Sequence, residues 1–435
     1  MPKIISYTIP IILTSILQLL FNAADLMVLG QLKGNDNVGA VGATGSLINL
    51  LVSLFTGLSI GAGVCVAQGI GAKDDDRVSQ AVHTAIPAAA IGGAGLTVIG
   101  VCLSRWLLEL MATPVNLIGQ ATLYMQIYFA GIIPILVYNF GAAILRSAGD
   151  TKSPLLYLSA AGVLNIMLNL FFVAVCDMAV DGVALATIIS QLLACVLVLR
   201  KLMHREDSCK LSFKKMRINP SALGRIISIG LPAGIQGSLF SISNVTIQSS
   251  VNSFNLEAIN NGCSAASNIE GFVYMGMNAF QQTVTTFVGQ NSGAGKYRNV
   301  GKVVGLTLIC VTGTGLVLGS AARLFAPQLL SLYLKEGGDA ISYGIIRMNY
   351  VCSAYFLCGI MDVLSGSLRG MGASTVPMVV SVLGACGLRV LWVATVFRRF
   401  QTLESLFVVF PVSWIVTIFA LLVCFIIIWK KRIRI

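Results

Sequence analysis

Charge is the scarcest thing in this sequence. Of its 435 residues only 11% are Asp, Glu, Lys or Arg, while 56% are hydrophobic; a typical soluble domain carries about 25% charged residues, so the composition marks an integral membrane protein. There are two histidines, His83 and His204, both near the ends of apolar runs and neither in an HExxH pattern, so no zinc centre is expected. The eleven cysteines fall mostly singly within apolar runs with no CxxC pair; they read as small buried hydrophobes, not as metal ligands or a disulfide frame. No G-x-x-x-x-G-K-[ST] loop occurs, which leaves ATP hydrolysis within the chain unsupported. Two short motifs are declined on context. GLSIG (57–61) fits a G-x-S-x-G nucleophile elbow but lies inside an apolar segment with no strand before it, where close helix packing explains its glycines better. Asn244-Val245-Thr246 fits a glycosylation acceptor yet lies within a span. No cofactor is expected. Nor is a cleavable leader, since the first apolar run starts at Ile4 and reads on as a full span.

What the chain has is apolar length. Cut at its polar breaks it gives about twelve segments, roughly 4–30, 38–69, 77–103, 117–145, 154–176, 180–203, 221–252, 256–290, 300–320, 340–368, 374–397 and 404–429. Most reach the ~20 residues a helix needs to cross a bilayer. They lack the alternation of barrel strands, so the expected fold class is all-α with twelve transmembrane helices. Lys and Arg set the orientation. With both termini cytoplasmic, the cytoplasmic segments hold 21 of 29 basic residues, among them Lys73, Arg77, Arg146, Lys152, Lys296, Arg298, Lys302 and the tail Lys430, Lys431, Arg432 and Arg434, as the positive-inside rule requires. The net charge of +12 is then a topology signal, and no nucleic-acid partner is expected.

The longest charged loop, 204–220, falls near the midpoint and reads as a linker. Shifting the sequence by 222 places Ile4-Ile5-Ser6 on Ile226-Ile227-Ser228, Pro10 on Pro232, Asn22 on Asn244 and Gln68, Gly71 and Ala72 on Gln290, Gly293 and Ala294. A shift of 223 aligns LRSAGDTKSP (145–154) with LRGMGASTVP (368–377). The chain is therefore read as a duplicated six-helix unit, with an amino-terminal lobe at 1–203 and a carboxy-terminal lobe at 221–435. An even number of spans per copy gives both the same orientation, so the two bundles are expected to be related by a pseudo-two-fold axis along the membrane normal.

Within this apolar background a few polar positions stand out. Thr14, Gln18, Asn22 and Asp25 recur at helical spacing in the first span, forming one polar stripe. An acid there has to face protein or trapped water, and such residues are costly and functional by default. Taking a carboxylate out of water favours its protonated form, so an acid that moves between wet and dry surroundings can load and release a proton. The plainer alternative is an acid held permanently by Asn22 and Gln18. Pro10 removes a helical hydrogen bond and permits a hinge. The eighth segment carries a second stripe, Glu270, Tyr274, Asn278, Gln281 or Gln282, and Thr285, which suits either a cationic substrate or a polar seam between helices. Arg389 is a candidate partner that would neutralise Glu270 or Asp362.

Together the D-x-x-x-x-G end of the first span (Asp25 to Gly30), the glycine-alanine loops, LRSAGDTKSP, the N-x-x-x-N followed by GVALATIISQ (182–191) and the two-by-six repeat resemble the MATE (multidrug and toxic compound extrusion) transporters, in particular their DinF-like bacterial branch. The resemblance covers essentially the whole chain. It implies an antiporter of the bacterial inner membrane in which entry of a proton, or as second choice sodium, drives export of a small lipophilic, often cationic organic compound by alternating access, with the monomer as the working unit. It carries the family's amino-lobe cation site over to Asp25, Asn165, Asn169 and Thr187, and implies bending of the first helix at Pro10. Many relatives have an acid where this chain has Asn169, which leaves Asp25 as the main titrating group. In multidrug relatives an acid also stands at the position of Cys358, one turn before Asp362. A lipid-linked oligosaccharide flippase of the same superfamily is the second reading, and it would need a strongly cationic cavity; only Arg389 is clearly within a span. A membrane enzyme would need a cluster of His, Asp or Cys at one depth, and a channel would show flux above carrier turnover.

Overall fold

A backbone surrounded by lipid satisfies its N–H and C=O groups within its own segment, and every apolar segment of this chain folds as a helix. The computed structural model describes residues 1–111, 113–334 and 338–433, with no strand among them; Arg434, counted above with the basic tail, lies outside the described residues. In order the helices are α1 (Pro2–Lys33), α2 (Asn35–Ala72), α3 (Asp75–Leu110), α4, α5 (Lys152–Leu170, continued by a π-helical turn, Phe171–Val175) and α6 (Val180–Met203). The second half follows with α7 (Pro220–Asn252), α8 (Glu257–Gly293), α9 (Tyr297–Leu324), α10, α11 (Thr375–Phe400) and α12 (Leu403–Ile433). Helix α12 is broken at Val408, between Leu403–Phe407 and Val409–Ile433, and two others are interrupted nearer their middles. Helix α4 consists of Val115–Ala130 and Ile132–Ser147, which meet at Gly131 with a bend of 51°. Helix α10 consists of Asp339–Val351 and Tyr355–Gly370 joined by a 3-10 turn, Cys352–Ala354.

Among the described residues ten helices are long and apolar enough to cross a membrane, and the bent α4 makes an eleventh. The twelfth, α8, is 37 residues long but is diluted by the polar stripe that marked its sequence. Glu270, Gln281 and Thr285 of that stripe are under 9% exposed and Tyr274, Asn278 and Gln282 are half-buried, with Thr283 and Thr286 buried beside them.

Contacts divide the chain into two compact units, Leu13–Ser238 and Met1–Ile12 with Leu239–Ile435. The boundaries fall inside α1 and α7, shortly after Pro10 and Pro232, and the expected linker 204–220 belongs wholly to the first unit. It is pinned there by His83, whose Nε2 accepts from the Ser212 N–H at 3.0 Å, and by Thr84, whose Oγ1 accepts from the Asn219 N–H at 3.1 Å. Cys209 and Leu211 are buried alongside. At the other end of this unit Lys33 closes α1 by pairing with Asp177 in the α5–α6 turn. The ammonium beside it holds the Asp177 carboxyl below the usual carboxylate range. In the second unit the first turns of α1 pack on α8, where Thr8 and Thr283 share a hydroxyl hydrogen bond of 2.8 Å and the Tyr7 hydroxyl reaches Thr286 at 3.3 Å.

The first unit is closed on one side by glycines. Helix α7 crosses α2 so tightly that a Cβ on Gly57 would lie 2.1 Å from the Gly234 nitrogen, and one on Gly61 2.4 Å from the Ile226 carbonyl oxygen. The GLSIG glycines are thus packing residues, as small residues at membrane helix contacts are. Leucine at Gly57 or Gly61 is expected to cost at least the ~1–3 kcal/mol of ordinary overpacking. Alanine at Gly42, on the same helix with nothing within 4 Å of its Cβ position, should leave thermal unfolding in detergent unchanged.

Candidate functional site

In the first unit three helices meet around Asp25. Helix α5 has Gly162 against α1, where a Cβ would lie 1.8 Å from the Phe21 ring, and that closeness carries Asn165 and Asn169, a turn apart, toward the acid. Asn169 donates from Nδ2 to Asp25 Oδ1, and also to Asn165 Oδ1 at 3.3 Å. From α6, Thr187 donates to Asp25 Oδ2 at 3.5 Å, lies 3.5 Å from Asn165 Nδ2 and bonds the Val183 carbonyl at 3.0 Å. Asp25, Asn165 and Asn169 are 8%, 4% and 0% exposed. Among the described residues no basic side chain pairs with Asp25, and Asn169 Oδ1 is a buried acceptor without a donor.

Four of the six residues proposed for this site are therefore brought together, and two are not. Gln18 and Asn22 share a face of α1 with Asp25, as their spacing dictates, but both are exposed and give it no hydrogen bond among the described residues. The alternative of an acid held by Gln18 and Asn22 is corrected: the donors come from α5 and α6. Pro10 lies within an unbroken α1, two residues before that helix passes from one compact unit to the other.

The second unit handles charge differently. Glu270 of α8 is bound in fork geometry by Arg347 of α10, Nε to Oε1 at 2.9 Å and Nη2 to Oε2 at 2.8 Å, with 4% and 6% of the two residues exposed. Arg389, a candidate partner for Glu270 or Asp362, is therefore not the partner of Glu270. Arg389 instead donates to Asn244 Oδ1 at 3.2 Å and to Ser413 Oγ at 3.4 Å, and its guanidinium lies 4.4 Å from the centre of the Phe410 ring. Nor does it form an ion pair with Asp362 among the described residues. Asp362 is 5% exposed and its Oδ2 has no hydrogen-bond donor among the described residues. The rest of the α8 stripe is knitted along its own helix: Asn278 donates to Tyr274 at 3.5 Å and to Gln281 at 3.2 Å, and Gln282 donates to Asn278 at 3.0 Å.

Arg347 is the residue that sequence reading missed. It stands within the 340–368 segment, and a charge inside an apolar run was the available signal. Glu270 is thereby a poor attractor for a cation, since its charge is already neutralised at bidentate range. Breaking such a pair leaves one charge buried alone. Glu270→Gln is expected to cost about 3–5 kcal/mol, and Glu270→Gln combined with Arg347→Met to recover most of that loss; thermal unfolding of the single and double variants checks it.

Comparison with known proteins agrees with this architecture. The MatE family profile matches residues 10–171 and again 232–394, two copies whose starts lie 222 residues apart, the offset at which the sequence repeats. The chain is 28% identical over 437 residues to the probable multidrug resistance protein YoeA of Bacillus subtilis, covering 98% of this chain and 93% of that protein. It is 24% identical to the probable multidrug resistance protein NorM of Thermotoga maritima over 87% of this chain and 82% of that one. In fold it superposes on an outward-facing multidrug resistance MATE family transporter of the MOP superfamily with a TM-score of 0.92 at 20% identity, over 100% of this chain and 96% of that one. A second structure, described as MATE in the bent conformation, gives a TM-score of 0.88 at 22% identity over 99% and 95% of the two chains. None of these is an enzyme. The double match covers most of both halves, and the chain belongs to the MatE family of transporters.

Proposed function

We propose that the chain is a proton-coupled antiporter that exports small lipophilic, often cationic organic compounds by alternating access. We place it in the bacterial inner membrane with both termini cytoplasmic. The observation that carries the reading is the Asp25 cluster. Among the described residues all of the partners of this buried carboxylate are neutral, so within the bilayer it bears its full negative charge unless it takes up a cation. The names of the resistance relatives support export of small organic molecules, and the excess of basic residues in one set of loops supports the orientation.

A proton is the first choice of coupling ion because a single carboxylate stands in the cluster. Sodium is the second choice. The oxygens of Asp25, Asn165, Asn169 and Thr187 suit a hard cation, and Asn169 Oδ1 is a spare acceptor among them. For either ion to drive transport, loading Asp25 has to have different energies in the two states, and Pro10, beside the point where α1 changes unit, is the proposed hinge. The flippase reading is disfavoured by the buried arginines. Of the three buried arginines among the described residues, Arg347, Arg369 and Arg389, the first is neutralised by Glu270 and the last is engaged by Asn244, Ser413 and Phe410.

Efflux of a fluorescent lipophilic cation from proteoliposomes, with pH and sodium gradients imposed separately, tests this. The wild type should respond to the pH gradient, and Asp25→Asn should lose gradient-driven efflux while keeping its unfolding temperature. Undiminished coupled efflux in the variant would sink the reading; a response to sodium alone would replace the proton.

A further inference from the structure

The linker 204–220 is docked on one face of α3. Gln80, His83 and Thr84 stand at helical neighbour spacing, and each takes one of its groups. Asn219 donates from Nδ2 to Gln80 Oε1 at 3.4 Å and from its N–H to Thr84 Oγ1 at 3.1 Å, while the Ser212 N–H donates to His83 Nε2 at 3.0 Å. Asn219 in turn caps α7, its Oδ1 accepting from the Ser221 and Ala222 N–H groups at 3.0 and 3.2 Å, as asparagine does at helix starts. The linker thus ties the start of α7 to α3, within the compact unit Leu13–Ser238.

One of these contacts holds in a single charge state. His83 is 4% exposed, and both of its ring nitrogens face backbone groups that have no choice of role. Nδ1 lies 2.7 Å from the Ser79 carbonyl oxygen, which can only accept, so Nδ1 carries a proton; the Ser79 hydroxyl at 3.2 Å adapts to either role. Nε2 faces the Ser212 N–H, which can only donate, so Nε2 carries none. These partners define a neutral imidazole. A proton on Nε2 sets two donors against each other and leaves the Ser212 N–H unpaired. The charged groups on the surrounding elements are Lys73 at the end of α2, Asp74, Asp75, Asp76 and Arg77 at the start of α3, Arg146 near the end of α4 and Arg225 at the start of α7. The linker adds His204, Glu206, Lys210, Lys214, Lys215 and Arg217, the thiol of Cys209, and Arg205 and Asp207, which pair with each other. Among the described residues none of these acids forms an ion pair with His83. A charge on this buried ring is therefore uncompensated, and the contact belongs to the neutral form, lost as pH falls.

We propose that His83 is a pH-sensitive latch: on acidification Nε2 takes up a proton, and the linker is released from α3 at Ser212, with the buried Cys209 and Leu211 beside it. Gln80 and Thr84 do not titrate, so the start of α7 stays held through Asn219 alone. Helix α7 is one of the two helices that pass from one compact unit to the other, and its tether is the part that loosens. In the orientation proposed above the latch faces the cytoplasm. To that extent it rests on that reading, and it gives a carrier that brings protons inward a sensor of their arrival.

The chain has two histidines, so His204→Gln leaves His83 as the sole ring in a nitrogen-15 NMR spectrum of histidine-labelled protein in micelles. At about pH 8 that spectrum should show the Nδ1–H tautomer, and it should change to the imidazolium on the way to about pH 5, the range in which histidine titrates. Over the same range hydrogen exchange at the Ser212 amide, corrected for the intrinsic rate at each pH, should speed up about fivefold, the net loss of one hydrogen bond. His83→Gln offers an acceptor oxygen that does not titrate and should hold the linker equally at both ends of the range. His83→Phe has no acceptor and should leave Ser212 unprotected at both. An Nε2–H tautomer at the higher pH, a ring still neutral at the lower, pH-independent protection in the wild type, or the same loss in His83→Gln would overturn the proposal. None of these readouts involves transport, so failure of proton coupling and failure of the latch are told apart.

Discussion

A charge taken out of water has to be answered by the protein around it, and the buried charges of this chain are answered in different currencies. Glu270 and Arg347 neutralise one another at 2.8–2.9 Å. Arg389 has an aromatic face at 4.4 Å, an amide and a hydroxyl. Among the described residues Asp25 has amide and hydroxyl donors only. These solutions do not carry the same consequences. A bidentate pair fixes two helices together, a guanidinium over a ring is held without being cancelled, and a carboxylate with neutral partners keeps a demand for a positive charge that the fold does not meet. The first braces the fold, and the last is the one on which the proposed coupling rests.

The duplication makes this contrast easy to see. Matched positions share backbone roles: Pro10 and Pro232 both precede the points where α1 and α7 pass between compact units, and the first turns of each helix are packed by small or hydroxylic side chains, Gly57 and Gly61 for α7, Thr283 and Thr286 for α1. Chemistry is not shared. The counterpart of Asp25 is Ile247, buried in the second core, and Asn244, the counterpart of Asn22, is spent on Arg389. A duplicated scaffold carries the Asp25 cluster in one copy and the Glu270–Arg347 pair in the other.

Much of this was legible in one dimension because lipid imposes a period and a length. The twelve segments, the repeat offset and the packing role of GLSIG all follow from apolar runs and their punctuation. So does α8, although its polar stripe keeps it below the hydropathy of a typical span. What the sequence left open was which residues meet across helices. Spacing placed Gln18 and Asn22 on the face of Asp25 correctly, but a shared face is not a shared partner, and the bonds come from positions 144 and 162 residues away. Asn169 and Thr187 were found through family resemblance and not through periodicity. Arg347 went unremarked because a long basic side chain a few residues into a span can extend its charge to the interface. Only the fold shows that it turns inward to Glu270.

The interruption of α4 at Gly131 has a meaning beyond its 51° bend. Advanced by the repeat offset, that position falls within Cys352–Ala354, where α10 is also broken. Neither a glycine nor any other residue type is preserved there, and α10 passes its turn without a comparable bend. The fourth helix of each half thus keeps a discontinuity by position and not by residue type, and the bend belongs to the first copy alone among the described residues.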